Sequence, residues 1–202
     1  SAQAVSQVSN TVGSYLSDMD QAMELVEQQS EQLYEYYRLL VEWNSFMNLT
    51  GITEFSEVVQ KHFVDSLSIV KVKNMNDVDN LIDVGTGAGF PGLPLKIVFP
   101  HLKVTLLDSL NKRIDFLNAV IEKPGLTGIE TIHGRAEDFA KPGLKREIYD
   151  LCVSRAVANL ATLSEYCLPY VKIGGEFIPY KSGEVADELQ DAKSAVFLLG
   201  GK

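Results

Sequence analysis

Cysteine, histidine and tryptophan are scarce: two, three and one in 202 residues. Cys152 and Cys167 stand in neither a metal-ligand nor a Cys-x-x-Cys spacing, and His62, His101 and His133 are scattered. A zinc site and a thioredoxin-type dithiol are therefore excluded, and no metal is expected. No apolar run approaches the roughly 18 residues of a membrane span. The chain does not open on a basic stretch followed by an apolar one, so no secretory signal is read. Asn48-Leu49-Thr50 matches a glycosylation sequon, which is idle without a secretory route. The expectation is a monomeric cytoplasmic protein that touches no membrane.

Bases are also few, and the net charge of −9 argues at first against a nucleic-acid partner. The distribution weakens that objection. Residues 1–60 hold nine acids and one base, Arg38, whereas residues 61–202 hold eighteen acids and seventeen bases. The acidity belongs to the N-terminal segment, and the remainder can still carry a local basic face.

Residues 1–14 lack a pattern and read as a frayed terminus. From Tyr15, apolar residues recur at three and four (Leu16, Met19, Met23, Val26, then Leu33, Tyr37, Leu40, Val41), which predicts one long or two successive amphipathic helices. A further helix presents Val58, Val59, Phe63, Leu67 and Val70 on one face. Residues 74–80, rich in Asn and Asp, read as a linker.

Five short strands follow, at Leu81–Val84, Val104–Asp108, Ile129–Ile132, Tyr149–Ser154 and Glu176–Tyr180, with helical patterns at 93–99, 112–121, 158–168 and 185–199. Near-continuous apolar strands alternating with helices predict an α/β fold, a mostly parallel sheet covered on both faces. The expected division is an N-terminal helical region over 1–80 and a sheet domain over 81–202. The last helix carries Val185, Leu189, Ala192, Val196 and Leu199 on one stripe, capped by Gly200-Gly201. Further C-terminal strands are expected to be missing after it.

The most informative stretch is Leu81-Ile82-Asp83-Val84-Gly85-Thr86-Gly87-Ala88-Gly89-Phe90-Pro91-Gly92: strand, glycine turn, helix start. Gly85 and Gly87 let backbone approach a ligand closely, Pro91 suits the first helical position, and the helix start offers N–H groups to an anion. A dinucleotide loop wants glycine at 85, 87 and 90, and position 90 is Phe. The spacing Gly85-x-Gly87-x-Gly89 after Asp83 instead resembles motif I of class I methyltransferases, which bind S-adenosyl-L-methionine. Asp108 closes the next strand 23 residues after Gly85, where a carboxylate can accept from ribose hydroxyls. It can also cap the helix that follows. His133–Phe139 and Ser154-Arg155 end the third and fourth strands. All four clusters fall on the strand C-terminal edge, where open α/β sheets bind ligands.

Leu81–Leu95, Leu106–Leu117, Gly134–Phe139 and Val153–Ala156 together resemble the bacterial small-subunit (16S) ribosomal RNA guanine-N7 methyltransferase family, also called glucose-inhibited division protein B. Asn48-Leu49-Thr50, Lys61–Ser66 and Tyr180-Lys181 resemble its other motifs, so the resemblance spans roughly residues 40–200. It implies a Rossmann-like class I methyltransferase, S-adenosyl-L-methionine as cofactor and 16S ribosomal RNA or the small ribosomal subunit as partner. It implies cofactor contacts along Gly85, Gly87, Gly89 and Phe90, at Asp108, Ser109 and Leu110, at Ala136 and Glu137, and at Arg155. Ser182 between Lys181 and Gly183 departs from the family's usual Lys-Gly.

Guanine N7 already carries a lone pair, so the inventory needs no general base, and no residue is assigned a catalytic step. Both cysteines read as small core residues. Arg155 is a candidate for cofactor, RNA phosphate, or a pair with Asp108 or Glu137. Lys181 is a candidate for RNA phosphate or a solvated rim. His62, Asp65 and Ser66 share a helical face and read as a hydrogen-bonded network joining helices to sheet. Trp43, Tyr34, Tyr36 and Tyr37 read as core and interface aromatics. The rival readings are methyl transfer to a small molecule or protein, and a non-catalytic S-adenosylmethionine-binding module.

Overall fold

In a computed structural model of the chain, residues 1–19, 25–156, 158–181 and 186–201 are described. Helix α1 spans Ala2–Asp18 and α2 spans Glu27–Asn44, so the N-terminal pattern resolves into two helices. Residues 1–14 do not fray. Val8, Val12 and Leu16 stand four apart and are fully buried; the Ser, Asn, Thr and Gly between them are modest or poor helix formers, and packing of the apolar stripe holds the helix. Met23, expected on that face, lies outside the described residues, as do Ser182, Gly183 and Val185. Gln29 ties α2 down at its start. Its Oε1 accepts from the Val26 N–H at 2.9 Å, and its Nε2 donates to the carbonyls of Ile97 and Val98 at 3.1 Å.

Phe55–Val58 (α3), a π turn at Val59–Val64, Asp65–Leu67 (α4) and a 3-10 turn at Ser68–Lys71 run on as one irregular helix. Val58, Val59, Phe63, Leu67 and Val70 are all buried, as their spacing predicts. The stretch read as a linker contains a 3-10 turn, Met75–Asp77, and buries Met75 and Val78 completely.

Five strands form one parallel sheet: β1 Asn80–Val84, β2 Lys103–Asp108, β3 Ile129–His133, β4 Tyr149–Ser154 and β5 Val171–Pro179, in the order β3-β2-β1-β4-β5. Strand β5 begins five residues earlier than the apolar run suggests. Tyr149 pairs with Val171 but Leu151 pairs with Glu176, a bulge at Gly174-Gly175 that hides the strand's start.

Alternate residues face opposite ways. Leu81, Val104, Leu106, Leu151 and Val153 join one core with α1, α2, the irregular helix, α5 (Gly92–Val98) and α6 (Asn111–Glu122). Ile82, Val84, Leu107, Tyr149 and Cys152 join the other, with Cys167 of α8 (Leu160–Cys167) and Phe139 of the short α7 (Ala136–Phe139). The helical region and one sheet face thus share a single apolar core. Helix α9 spans Ala186–Leu198, and Gly200 at φ +84° with bonds from Gly200 N–H to Phe197 and Gly201 N–H to Val196 caps it as expected. Of its expected stripe, Ala192 is buried, while Leu189 and Leu199 are exposed.

Candidate functional site

The chain runs outward from β1 to β3 on one side and places β4 and β5 on the other, so strand order reverses between β1 and β4. Open α/β sheets bind ligands beside such a reversal, at the C-terminal ends of the strands. A Cβ on Gly85, in the loop after β1, would stand 3.3 Å from the Cβ of Ala156, in the loop after β4.

The β1–α5 loop is held by its own amides. Gly85 and Thr86 donate to the carbonyl of Leu107 (2.9 and 3.1 Å), Gly87 donates to Asp108 Oδ2 (2.8 Å), and Gly89 and Phe90 donate to the Thr86 carbonyl (3.0 and 3.2 Å). The Ala88 N–H has no acceptor among the described residues. Gly87 sits at φ +60°, and a Cβ added there would meet nothing within 4 Å, so the loop's open side lies above it. Pro91 is the N-cap of α5 rather than its first residue.

Asp83 lies fully buried beneath the loop. Its Oδ2 accepts from the Thr86 hydroxyl at 2.7 Å and the Gly92 N–H at 2.8 Å, whereas Oδ1 has no partner among the described residues. Burial pushes its carboxyl up to about 7, against the opposing pull of those two hydrogen bonds.

Asp108 ties neighbouring turns together. Besides Gly87, its carboxylate accepts from the Leu110 N–H at 3.0 Å and from Arg113 Nη1 at 3.5 Å, and its side chain is 2% exposed. Helix α6 is capped by Leu110, not by Asp108. The Ser109 carbonyl lies 3.1 Å from His133 Nε2, and the Gly134 N–H donates to the Asp108 carbonyl at 3.0 Å, bringing the end of β3 alongside. Beyond it, the Ala136 carbonyl accepts from the Tyr170 hydroxyl, and half-exposed Glu137 pairs with Arg135 at 2.6 Å.

Arg155 reaches the helical region, not Asp108 or Glu137. Its Nη1 donates to Asp65 Oδ2 at 3.1 Å and Nη2 to His62 Nδ1 at 2.9 Å, with its Cζ 5.0 Å from the Phe90 ring centroid. His62 stacks on Phe90 at 4.3 Å and 11°, and Thr50 Oγ1 lies 2.8 Å from its Nε2. Burial, then Arg155, lowers the His62 pKa to about 4. Ser66 turns its hydroxyl back to the His62 carbonyl, while its own carbonyl accepts from Tyr180 at 2.6 Å. The two sequence segments Asn48–Thr50 and Lys61–Ser66 therefore join the sheet through Arg155 and Tyr180. Lys181 is no free rim lysine. It donates to the Ala158 carbonyl and pairs with Glu188 at 3.0 Å.

The fold thus sets Gly85–Phe90, Asp108–Leu110 and Arg155 at the C-terminal ends of β1, β2 and β4, with Ala136-Glu137 after β3 on the same edge. Sequence reasoning missed Tyr36, whose hydroxyl meets the glycine loop from 52 residues away. It also passed over Asp83 as a site residue, although an acid within an apolar strand, just before the glycine loop, was a visible signal. Both cysteines are fully buried. No described helix is long and apolar enough to cross a membrane. No cluster of three His, Cys, Asp or Glu among the described residues could hold a metal.

Residues 29–202 match the family model for rRNA small subunit methyltransferase G. A ribosomal RNA small subunit methyltransferase G from Lachnoclostridium phytofermentans is 59% identical over 180 residues, 89% of this chain and 74% of its own. One from Brevibacillus brevis is 50% identical over 182 residues, 90% and 76% of the two chains. A solved structure of a Corynebacterium glutamicum protein shares the fold at 15% identity, with a TM-score of 0.54 over 81% of this chain and 80% of that one. On a family match spanning most of its length and on that identity to curated relatives, the chain belongs to the rRNA small subunit methyltransferase G family.

Proposed function

We propose that the chain binds S-adenosyl-L-methionine over the β1–α5 loop and transfers its methyl group to N7 of a guanine in small-subunit (16S) ribosomal RNA, in the cytoplasm. The observation that carries this reading is the Gly87–Asp108 contact at 2.8 Å, which sets a ribose-clamp acid directly against a glycine loop that is not of dinucleotide type. The relatives, ribosomal RNA small subunit methyltransferases G, supply the RNA class.

The residues present fit such a cofactor. The space above Gly87, where an added Cβ meets nothing within 4 Å, would take its methionyl end, and the Ala88 N–H, without an acceptor among the described residues, would donate to its carboxylate. Behind the loop, Asp83 Oδ1 is a polar atom with no partner among the described residues. A carboxylate has about four acceptor positions, and Asp108 commits three of them to Gly87, Leu110 and Arg113. One ribose hydroxyl can be accepted directly; a second requires the 3.5 Å Arg113 contact, on a side chain 37% exposed, to swing aside. Glu137 and the Ala136 backbone, on the same edge, would be the groups offered to an adenine, and Arg155 lies over the Phe90 ring, its Cζ 5.0 Å from the centroid.

When bound, the cofactor would supply an electrophilic methyl group on a sulfonium, which the N7 lone pair could take while the S–C electron pair stays with sulfur. No proton moves. What the chain must do is orient, bringing N7 in line with the methyl, a contribution of about 7–11 kcal/mol at best. That agrees with both thiols being buried in the core, away from the loop. The test is tritiated methyl transfer to small-subunit RNA from a strain lacking the endogenous enzyme, followed by nucleoside mass spectrometry. Labelled 7-methylguanosine is the expected product. Label in free metabolites or protein but not RNA, or binding without turnover, would sink the reading.

A further inference from the structure

Tyr36 lies in the middle of α2, far in sequence from the sheet, between the buried Leu33 and Leu40. It is fully buried, its ring packed with Phe63 (5.6 Å), Phe90 (5.3 Å) and Phe116 (6.4 Å). Such packing accounts for the ring but not for the hydroxyl. A buried hydroxyl is costly unless it is bonded, and this one donates to the Ala88 carbonyl at 2.5 Å.

That carbonyl belongs to the Ala88–Gly89 peptide unit, whose N–H donates to Thr86 at 3.0 Å. A peptide plane held at both ends cannot rotate. Tyr36 also bears on the next residue: a Cβ at Gly89, at φ +99°, would stand 2.6 Å from its hydroxyl oxygen. Ala88, whose own N–H on the preceding peptide has no acceptor among the described residues, is therefore the loop residue whose carbonyl α2 holds. Burial raises the phenol's pKa well above its ordinary value, so it remains a donor at any working pH.

We infer that Tyr36 is a positioning residue for methyl transfer: its hydroxyl sets the Ala88 peptide of the cofactor loop, which makes the N-terminal helical region a working part of the cofactor site. This rests on the proposed cofactor reading of that loop. It goes beyond it in assigning loop geometry to a residue that touches neither cofactor nor RNA.

Tyr36→Phe keeps the aromatic packing and removes one oxygen, leaving the Ala88 carbonyl buried without its donor. Tyr149→Phe is the matched control, because its hydroxyl is equally buried, donates to Thr105 Oγ1 at 2.8 Å, and lies in the core on the opposite sheet face. S-adenosylhomocysteine binding is measured by calorimetry well below both melting midpoints, with KM for the cofactor, kcat, and amide exchange at Gly87–Phe90 read in parallel. Tyr36→Phe is expected to lose about tenfold in affinity, to raise KM for the cofactor more than it lowers kcat, and to speed exchange in the loop. Tyr149→Phe, at a similar cost in melting temperature, is expected to leave all three unchanged. Folded Tyr36→Phe protein binding within twofold of the parent, or equal losses in both variants, would overturn the inference. A parent chain that binds no S-adenosylhomocysteine would instead overturn the cofactor reading beneath it.

Discussion

Nη2 of Arg155 lies 2.9 Å from Nδ1 of His62, and that contact decides where the imidazole carries its proton. A guanidinium only donates, so Nδ1 must be the lone-pair nitrogen and Nε2 the one bearing hydrogen. Nε2 accordingly donates to Thr50 Oγ1 at 2.8 Å, which also accepts from the Ile52 N–H at 3.0 Å. The ring is neutral, and the joint between helices and sheet depends on its staying so.

Removing the guanidinium should release the ring. Burial is the larger cause of the low His62 pKa and Arg155 the second, so Arg155→Ala is expected to raise the titration midpoint from about 4 towards 6.5. Stability follows the same proton. The unfolded chain takes it up near 6.5 and the folded chain refuses it until about 4. This contribution is therefore complete above 6.5 and is lost as pH falls through 4. Carbon-detected NMR of the histidine ring gives the midpoint, and an unchanged value in the variant would show that Arg155 does not govern it.

How much of this was legible depended on range. The strands and the glycine loop could be read because each is a short local signal: an apolar run, then glycines. His62 and Asp65 were readable as partners of one face from their spacing, and both do reach Arg155. Helix α1 was hidden because its apolar residues are sparse among Ser and Gln, and only the burial of Val8 and Val12 reveals it. The contact of Tyr36 with Ala88 left no local trace at all. Nothing in the α2 pattern separates a tyrosine that fills a core from one that also holds a loop.

Asp83 should impose a pH dependence of the opposite sign to His62. Its folded-state pKa is raised from 3.8 to about 7. Its contribution is complete below about 4 and is lost as pH rises through 7, because the folded chain must then ionise a buried carboxyl that the unfolded chain ionises freely. With ligand absent, the parent is expected to lose stability relative to Asp83→Asn across that window. The loss is at most about 4 kcal/mol at roughly 1.4 kcal/mol per pH unit. Denaturant melts of both proteins at pH 5, 6, 7 and 8 measure it, and a difference that stays flat with pH would count against a raised Asp83.

Neither thiol should matter to transfer. Cys152 and Cys167 are fully buried in the core on the face of the sheet opposite α2, and burial raises the Cys152 pKa well above its ordinary value. A thiol that is not ionised and not exposed is a poor nucleophile. Cys152→Ala and Cys167→Ala are each expected to keep kcat within about twofold while costing on the order of 1 kcal/mol of stability for a small core cavity. A trapped covalent RNA–protein adduct, or activity lost in a stable variant, would contradict this.

Asp108 offers the most direct test of the candidate site, because its two oxygens hold different things. Oδ2 takes the Gly87 N–H and Oδ1 takes the Leu110 N–H and, weakly, Arg113. Asp108→Asn keeps one acceptor oxygen and turns the other position into a donor, so either Gly87 or Leu110 is left facing an NH2 group. Asp108→Ala removes both acceptors and any ribose contact. Hydrogen bonds to a charged acceptor are worth about 1.5–3 kcal/mol each. Asp108→Ala is therefore expected to weaken S-adenosylhomocysteine binding by roughly 2–4 kcal/mol, with Asp108→Asn falling between it and the parent. Arg113→Ala separates the ribose from the loop. If Arg113 must move aside to admit a second hydroxyl, its removal should leave affinity unchanged or slightly improved, whereas a purely structural pair would weaken. Calorimetry on the three folded variants orders them. A result in which Asp108→Ala binds within threefold of the parent would reduce Asp108 to a brace between two turns and remove the ribose clamp from the site.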